Sequence, residues 1–214
     1  PAPGSLAVIT IIDYGLGNLG SIKNMLVRSG IKCTISGDPD VIRSASRLIL
    51  PGGGHFKYAM DTLHERGLVT VIQQRVREAN VPLLGICLGG QLIGRHSEEG
   101  DVAGLGLVPM DVVAFDRARL MQGEKVPHMG WTVTPHSDIP LFASVQQPAR
   151  YYYVHSFHFR CDDPHDEIAW AEHGYRFASG VRHGNVIGVQ FHPEKSHVYG
   201  QQLLRNFAAM DFSA

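Results

Sequence analysis

Cysteine is scarce in this 214-residue chain: Cys33, Cys87 and Cys161 lie far apart, with no CxxC pair among them. The spacing argues against a zinc site or redox couple and for a reducing compartment. A charge of one sign is also missing. Nineteen Lys+Arg against 20 Asp+Glu leave a formal net charge of -1, so no long-range field draws in nucleic acid or an anionic membrane. Small molecules and protein partners are the expected ligands. No apolar run approaches the roughly 18 residues of a spanning helix. The stretch 6–12 is too short and closes on Asp13, and the chain reads as cytoplasmic. Repeats, linkers and low-complexity segments are absent as well. What is present is a 44% hydrophobic sequence of a size that builds one domain around one large core. Residues 1–5 have turn composition and are set apart as an N-terminal extension or cloning remnant, leaving 6–214 as a single domain.

In the first half, short β-rich runs alternate with helical periodicity, the pattern of βαβ units and a parallel sheet. The expected strands are 7–12, 32–35, 47–50 and 82–86. The last is apolar on both parities, as a strand covered on two faces tends to be. The expected helices place Leu19, Ile22 and Leu26 on one face before a stop at Gly30, span about 56–78 with an interruption near Gly67, and run over 88–96. The second half is strand-rich: 107–108, 112–115, 131–133, 150–157, 168–171 and 186–191, read as antiparallel additions. A closing helix is expected over about 193–210, with Pro193 in its first turn and Leu203, Leu204 and Phe207 facing the core.

Gly85-Ile86-Cys87-Leu88-Gly89 lies between an expected buried strand and an expected helix. A residue there makes a sharp turn that thrusts its side chain out at the carboxyl edge of the sheet, and the flanking glycines remove the clashes. The helix beginning at Leu88 offers a positive dipole end, which favours thiolate. Its first N–H groups can meet an oxyanion. The bland alternative, a buried structural cysteine, is equally weighted on this stretch alone.

Acyl transfer by a thiolate needs a group that accepts the thiol proton and later hands it to the leaving group. Twelve histidines compete. Most, such as His64, His96 and His173, sit in polar or helical surroundings and read as solvated. His192 differs, ending the apolar run 186–191 and preceding Pro193 and Glu194. In an extended segment residues two apart point the same way, so Glu194 can accept from the ring and fix its tautomer. Taken alone, a strand-end histidine followed by a helix N-terminal acid is the simpler account.

Together these residues resemble the class I glutamine amidotransferases, whose triad is a Cys in a Gly-x-Cys-x-Gly elbow with a His-Pro-Glu near the C-terminus. Within that class, Asp13-Tyr14-Gly15-Leu16-Gly17-Asn18-Leu19, Pro127-His128-Met129-Gly130-Trp131, Tyr153-Val154-His155-Ser156 and residues 188–196 are similar to the glutaminase subunits of imidazole glycerol phosphate synthase. The resemblance implies a flavodoxin-like α/β fold, a mostly parallel sheet with helices on both faces. It implies glutamine hydrolysis through a Cys87 thioester, with His192 and Glu194 completing the triad. It further implies ammonia passed to a (β/α)8-barrel cyclase subunit of histidine biosynthesis, in a heterodimer. No metal or organic cofactor is called for.

Carried over residue by residue, Gly52, Gly53 and Gly54 match the family's oxyanion loop, with Leu88 supplying an N–H beside the elbow. Gln91, Glu99, His155, Ser156 and Phe157 match the wall that holds the substrate's α-substituents. Asn18, His128, Met129 and Trp131 match the partner-facing segment. Three departures stand out against the family pattern: Gly53 where valine is usual, His55 where a small residue is common, and Phe157 where tyrosine is frequent. Three other readings stay open: a paralogous subunit feeding ammonia to amidino-sugar synthesis, a catalytically silent regulatory module, and a free-standing γ-glutamyl hydrolase or cysteine peptidase.

Overall fold

The computed structural model describes residues 8–212, so the expected extension at 1–5 lies outside the described residues. The strands are β1 (Ile9–Ile12), β2 (Cys33–Ser36), β3 (Leu48–Leu50), β4 (Leu83–Ile86), β5 (His96–Ser97), β6 (Val102–Ala103), β7 (Met110–Ala114), β8 (His128–Val133), β9 (Arg150–His155), β10 (Phe157–Cys161), β11 (Glu167–His173), β12 (Tyr175–His183) and β13 (Val186–Val189). The helices are α1 (Leu19–Arg28), α2 (Pro39–Ser44), α3 (Phe56–Glu65), α4 (Leu68–Arg77), α5 (Leu88–Leu92) and α6 (His197–Ala209).

One large sheet runs in the order β2-β1-β3-β4-β13-β12-β10-β7-β5-β6, with β11 paired to β12. Its first five strands are parallel, and β12, β10 and β7 continue it antiparallel. Alternation along the parallel strands feeds two cores. Ile49 and Leu84 pack with Ile22, Leu26 and Leu203 of α1 and α6 on one face. Leu48, Leu50 and Leu83 pack with Phe56, Leu63 and Ile72 of α3 and α4 on the other. Helices therefore cover both faces, as expected.

The placement that matters most is β13 beside β4, in parallel register from Val186 opposite Leu83 to Val189 opposite Ile86. Both chains leave the sheet at one edge, so residue 87 and residues 190–192 emerge side by side.

Several expectations are corrected. The run 150–157 is not one strand: it breaks at Ser156 into β9, paired with β8 in a separate two-stranded sheet, and β10 in the main sheet. The helix over 88–96 stops at Leu92, because the chain there closes onto β7, with Arg95 N–H donating to Met110 O at 2.8 Å. The interruption expected near Gly67 is present: the stretch 56–78 is two helices, broken where Gly67 turns left-handed at φ 67°. Residues 107–108 form no strand. The closing helix is preceded by a separate 3-10 turn, Pro193–Lys195, and begins at His197, whose φ is 47°. Unforeseen were α2, capped by Asp38 with Pro39 at its first position, and the long strand β12.

Candidate active site

Cys87 follows β4 directly, at φ 53° and ψ -111°, a conformation L-residues hold only where the surroundings impose it. The imposition is steric. A Cβ on Gly85 would lie 2.5 Å from Gly89 O, and one on Gly89 would lie 1.9 Å from Leu50 O. Only bare backbone lets the strand, the elbow and α5 approach this closely. Cys87 N–H donates to Val189 O at 2.8 Å, tying the elbow to β13.

His192 and Glu194 are both buried, and Nδ1 of the ring lies 2.7 Å from Glu194 Oε1. A carboxylate only accepts, so Nδ1 carries a proton and Nε2 is left as the working nitrogen. The contact is made by the 3-10 turn rather than by the extended parity expected from sequence. Ser196 fixes that turn: its hydroxyl donates to His192 O at 2.6 Å and accepts from Tyr152 N at 3.0 Å. Burial acts on the imidazolium first and downward. The Cys87 side chain and the Glu194 carboxylate act upward and prevail, raising the His192 pKa to about 9. The ring is thereby a stronger acceptor for a thiol proton.

In this resting arrangement the sulfur's two hydrogen-bond partners are Val154 O and Gln190 Nε2, each at 3.9 Å. His192 Nε2 and Glu194 Oε2 are buried and have no hydrogen-bond partner. An orphaned ring nitrogen beside a thiol is ready to take its proton.

These groups open on a cavity of about 380 Å³ lined by Gly53, Gly54, Cys87, Leu88, Gln91, Glu99, Pro127, Val154, His155, Ser156, Phe157, His192 and Lys195. Nearly every catalytic, oxyanion and substrate-wall residue expected from sequence is in that lining. Glu194, held on the other ring nitrogen of His192, and Gly52 are not. Gly52 packs behind, where a Cβ would meet Gly89 N at 2.5 Å, and Tyr14 braces the same loop by donating its hydroxyl proton to Pro51 O at 2.9 Å. A Cβ on Gly53 would meet nothing within 4 Å, so the loop has room for the side chain it lacks. Leu88 opens α5, and the first N–H groups of a helix have no partner within it.

Gln91 is buried in the wall, not solvated. Its Nε2 donates to Phe157 O at 3.2 Å and to Gln190 Oε1 at 3.0 Å. Glu99 lines the cavity, yet one of its oxygens is already engaged: Oε2 accepts from Phe56 N at 2.7 Å and caps α3, where the N-cap residue His55 makes no side-chain bond.

The expected partner segment divides. Met129 and Trp131 point outward from β8, and Asn18 is an exposed cap of α1. His128 points inward, a correction to its expected partner-facing role. It stacks on His173 with ring centroids 4.6 Å apart, and His173 is itself buried rather than solvated. Burial pulls the His128 pKa down to about 4, with His173 adding to the effect and Glu124 opposing it. Gln190 carried no role in the sequence reading. Its signal was a carboxamide inside an otherwise apolar strand run.

Among the described residues no His, Cys, Asp and Glu group has the makings of a metal site, and no helix is long and apolar enough to cross a membrane. All three cysteines are free.

Comparison with known proteins agrees with this geometry. Residues 10–210 match the glutamine amidotransferase class-I family. Imidazole glycerol phosphate synthase subunit HisH 2 of Pseudomonas aeruginosa is 43% identical over 204 residues, covering 95% of this chain and 100% of that protein. Imidazole glycerol phosphate synthase subunit HisH of Sulfurimonas denitrificans is 44% identical, covering 94% and 97%. Among solved structures, PurLQS from Thermotoga maritima superposes with a TM-score of 0.72 at 18% identity, covering 96% of this chain and 99% of that one. A glutamine amidotransferase superposes at 0.67 with 20% identity, covering 94% and 99%. The chain belongs to the class I glutamine amidotransferase family.

Proposed function

We propose that the protein is the glutaminase subunit of an imidazole glycerol phosphate synthase. The observation that carries the chemistry is the buried pair of His192 and Glu194 at 2.7 Å beside a strained, pocket-facing Cys87. His192 Nε2 takes the thiol proton, and the sulfur attacks the side-chain carbonyl of glutamine. N–H groups of Leu88 and the Gly53–Gly54 loop meet the oxyanion. The same imidazolium then protonates the departing ammonia, and water hydrolyses the thioester to glutamate. The cavity wall of Gln91, Glu99, Ser156 and Phe157 holds the substrate's α-amino and α-carboxyl groups.

Near-full-length identity of more than 40% to HisH subunits supports the histidine pathway as the destination. A (β/α)8-barrel cyclase subunit is the proposed acceptor. Met129, Trp131 and Val133 form an exposed apolar row on β8, 61%, 39% and 47% accessible, with the Trp131 ring stacked on His197 at 5.4 Å. Such a row on a soluble chain marks a docking face. A sealed interface also suits the product, since ammonium in neutral water is no nucleophile. Ammonia release measured with and without the cyclase tests the proposal: turnover that rises on partner addition is expected, and full turnover by the isolated chain contradicts it.

A further inference from the structure

We propose that Gln190 is a further catalytic residue: its side-chain N–H donates to the Cys87 sulfur and stabilises the thiolate, in an orientation dictated by Gln91 and Phe157. The inference rests on the glutaminase reading above and deepens it. Gln190 is wholly buried, follows β13, and reaches the sulfur with Nε2 at 3.9 Å.

Which end of a carboxamide faces a neighbour is a question of polarity, and it is settled by starting from a group that can only accept. Phe157 O is such a group. It receives His155 Nδ1–H at 2.7 Å and Gln91 Nε2–H at 3.2 Å. Gln91 therefore presents nitrogen on this side. The same Nε2 lies 3.0 Å from the Gln190 side chain, which must answer with oxygen. That leaves the Gln190 nitrogen, a donor, on the sulfur. Reversing Gln190 would set nitrogen against nitrogen at Gln91 and an oxygen lone pair against the sulfur.

The other arm of the chain is equally determined. With Nδ1–H committed to Phe157 O, the deeply buried and neutral His155 accepts at Nε2 from His128 Nδ1 at 2.9 Å. His128 Nε2 then accepts from the Thr132 hydroxyl at 2.9 Å. Every proton from Thr132 to the sulfur has one place.

The selectivity for thiolate follows from the second partner of the sulfur. While protonated, Cys87 donates its S–H to Val154 O at 3.9 Å. Once the proton moves to His192, that carbonyl faces the anion with a lone pair, and Gln190 Nε2 is a donor already in place on the sulfur, beside the newly formed His192 imidazolium. A donor to a charged acceptor is worth more than one to a neutral acceptor, so Gln190 favours the ionised form.

The test is the pH dependence of Cys87 alkylation by iodoacetamide in the full chain, followed by peptide mass analysis so that Cys33 and Cys161 do not interfere. Gln190→Met removes the donor without adding charge, and Gln190→Glu removes it while keeping an acceptor for Gln91. Both should move the alkylation midpoint up by about one pH unit, roughly a tenfold loss of thiolate at a fixed pH below the midpoint. In the unsubstituted protein, the Gln190 side-chain amide signals should shift with the same midpoint, a readout that survives if the variants misfold. An unchanged midpoint in Gln190→Met, or amide signals indifferent to Cys87 ionisation, would overturn the proposal. Alkylation needs neither glutamine nor a partner. A wild-type complex that releases no ammonia would thus count against the proposed function, while the midpoints still decide the role of Gln190.

Discussion

Cys87 and His192 leave neighbouring parallel strands at one edge of the sheet, and the Cys87 side chain is among the groups that raise the imidazole's pKa. Nothing in the linear sequence sets residue 87 beside residue 192. The β4–β13 pairing does.

Glu194→Gln keeps an oxygen for His192 Nδ1–H but removes the carboxylate charge that helps raise the ring to about 9. With wild-type protein, kcat/KM for glutamine should fall as pH rises through about 9, since the imidazolium is needed to protonate ammonia. In the variant that limb should move at least about one unit toward the ordinary histidine value, and kcat should drop about a hundredfold or more. A pH–rate series on both proteins, with the cyclase present, checks this.

The same raised pKa has a stability consequence of known sign. A base held above its unfolded value contributes stability that is complete below about pH 6.5 and is lost as pH rises through about 9. His128 and His155 act oppositely, for burial drives the first down to about 4 and the second well below its usual range. For them the unfolded chain binds more protons, so stability is complete above about pH 6.5 and falls as pH drops toward 4. Calorimetric Tm values from pH 7 to pH 5 should decline in the wild type. His128→Gln should flatten the slope without abolishing it, because His155 remains.

Gly89→Ala would place a methyl carbon 1.9 Å from Leu50 O, with backbone on both sides of the clash. The expected cost is at least about 3 kcal/mol, seen as a large loss of Tm. Gly53→Val, whose Cβ would meet nothing within 4 Å, should leave the unfolding free energy within about 1 kcal/mol of wild type.

Much of the site was legible in sequence because its signals are local. The glycines flanking Cys87 announce an elbow, and His-Pro-Glu after an apolar run announces a residue at a strand end. What escaped was decided by distant partners. The 150–157 run, with Tyr151, Tyr152, Tyr153 and Val154 in succession, reads as one β-rich stretch, and only the competing claims of β8 and β7 split it at Ser156. His128 and His173 are polar by type, yet they are buried because neighbours distant in sequence satisfy their ring nitrogens: His128 is bonded to His155 and Thr132, and His173 Nε2 donates to Lys125 O at 2.9 Å. Gln190 lies within the 188–196 motif, but its role depends on Gln91, 99 positions away. By contrast α2 was available all along, since Asp38 followed by Pro39 is a cap-and-first-turn signal that its short length obscured.

Trp131→Ala and Met129→Ala remove exposed side chains, so the isolated chain should keep its Tm. Affinity for the cyclase subunit should fall by about 2 kcal/mol for the tryptophan, roughly thirtyfold, and by less for the methionine. Titration calorimetry of the two subunits reads both. Unchanged affinity in the tryptophan variant would remove β8 from the docking face.

The central claim is that Cys87 is the nucleophile of a glutaminase feeding a separate synthase, and Cys87→Ala in the assembled complex tests it most directly. Synthesis is measured with glutamine and, separately, with an ammonium salt at alkaline pH. The account predicts no activity with glutamine and near-wild-type activity with ammonia. Persisting glutamine-dependent synthesis, or loss of both activities in a complex that still assembles, would contradict it.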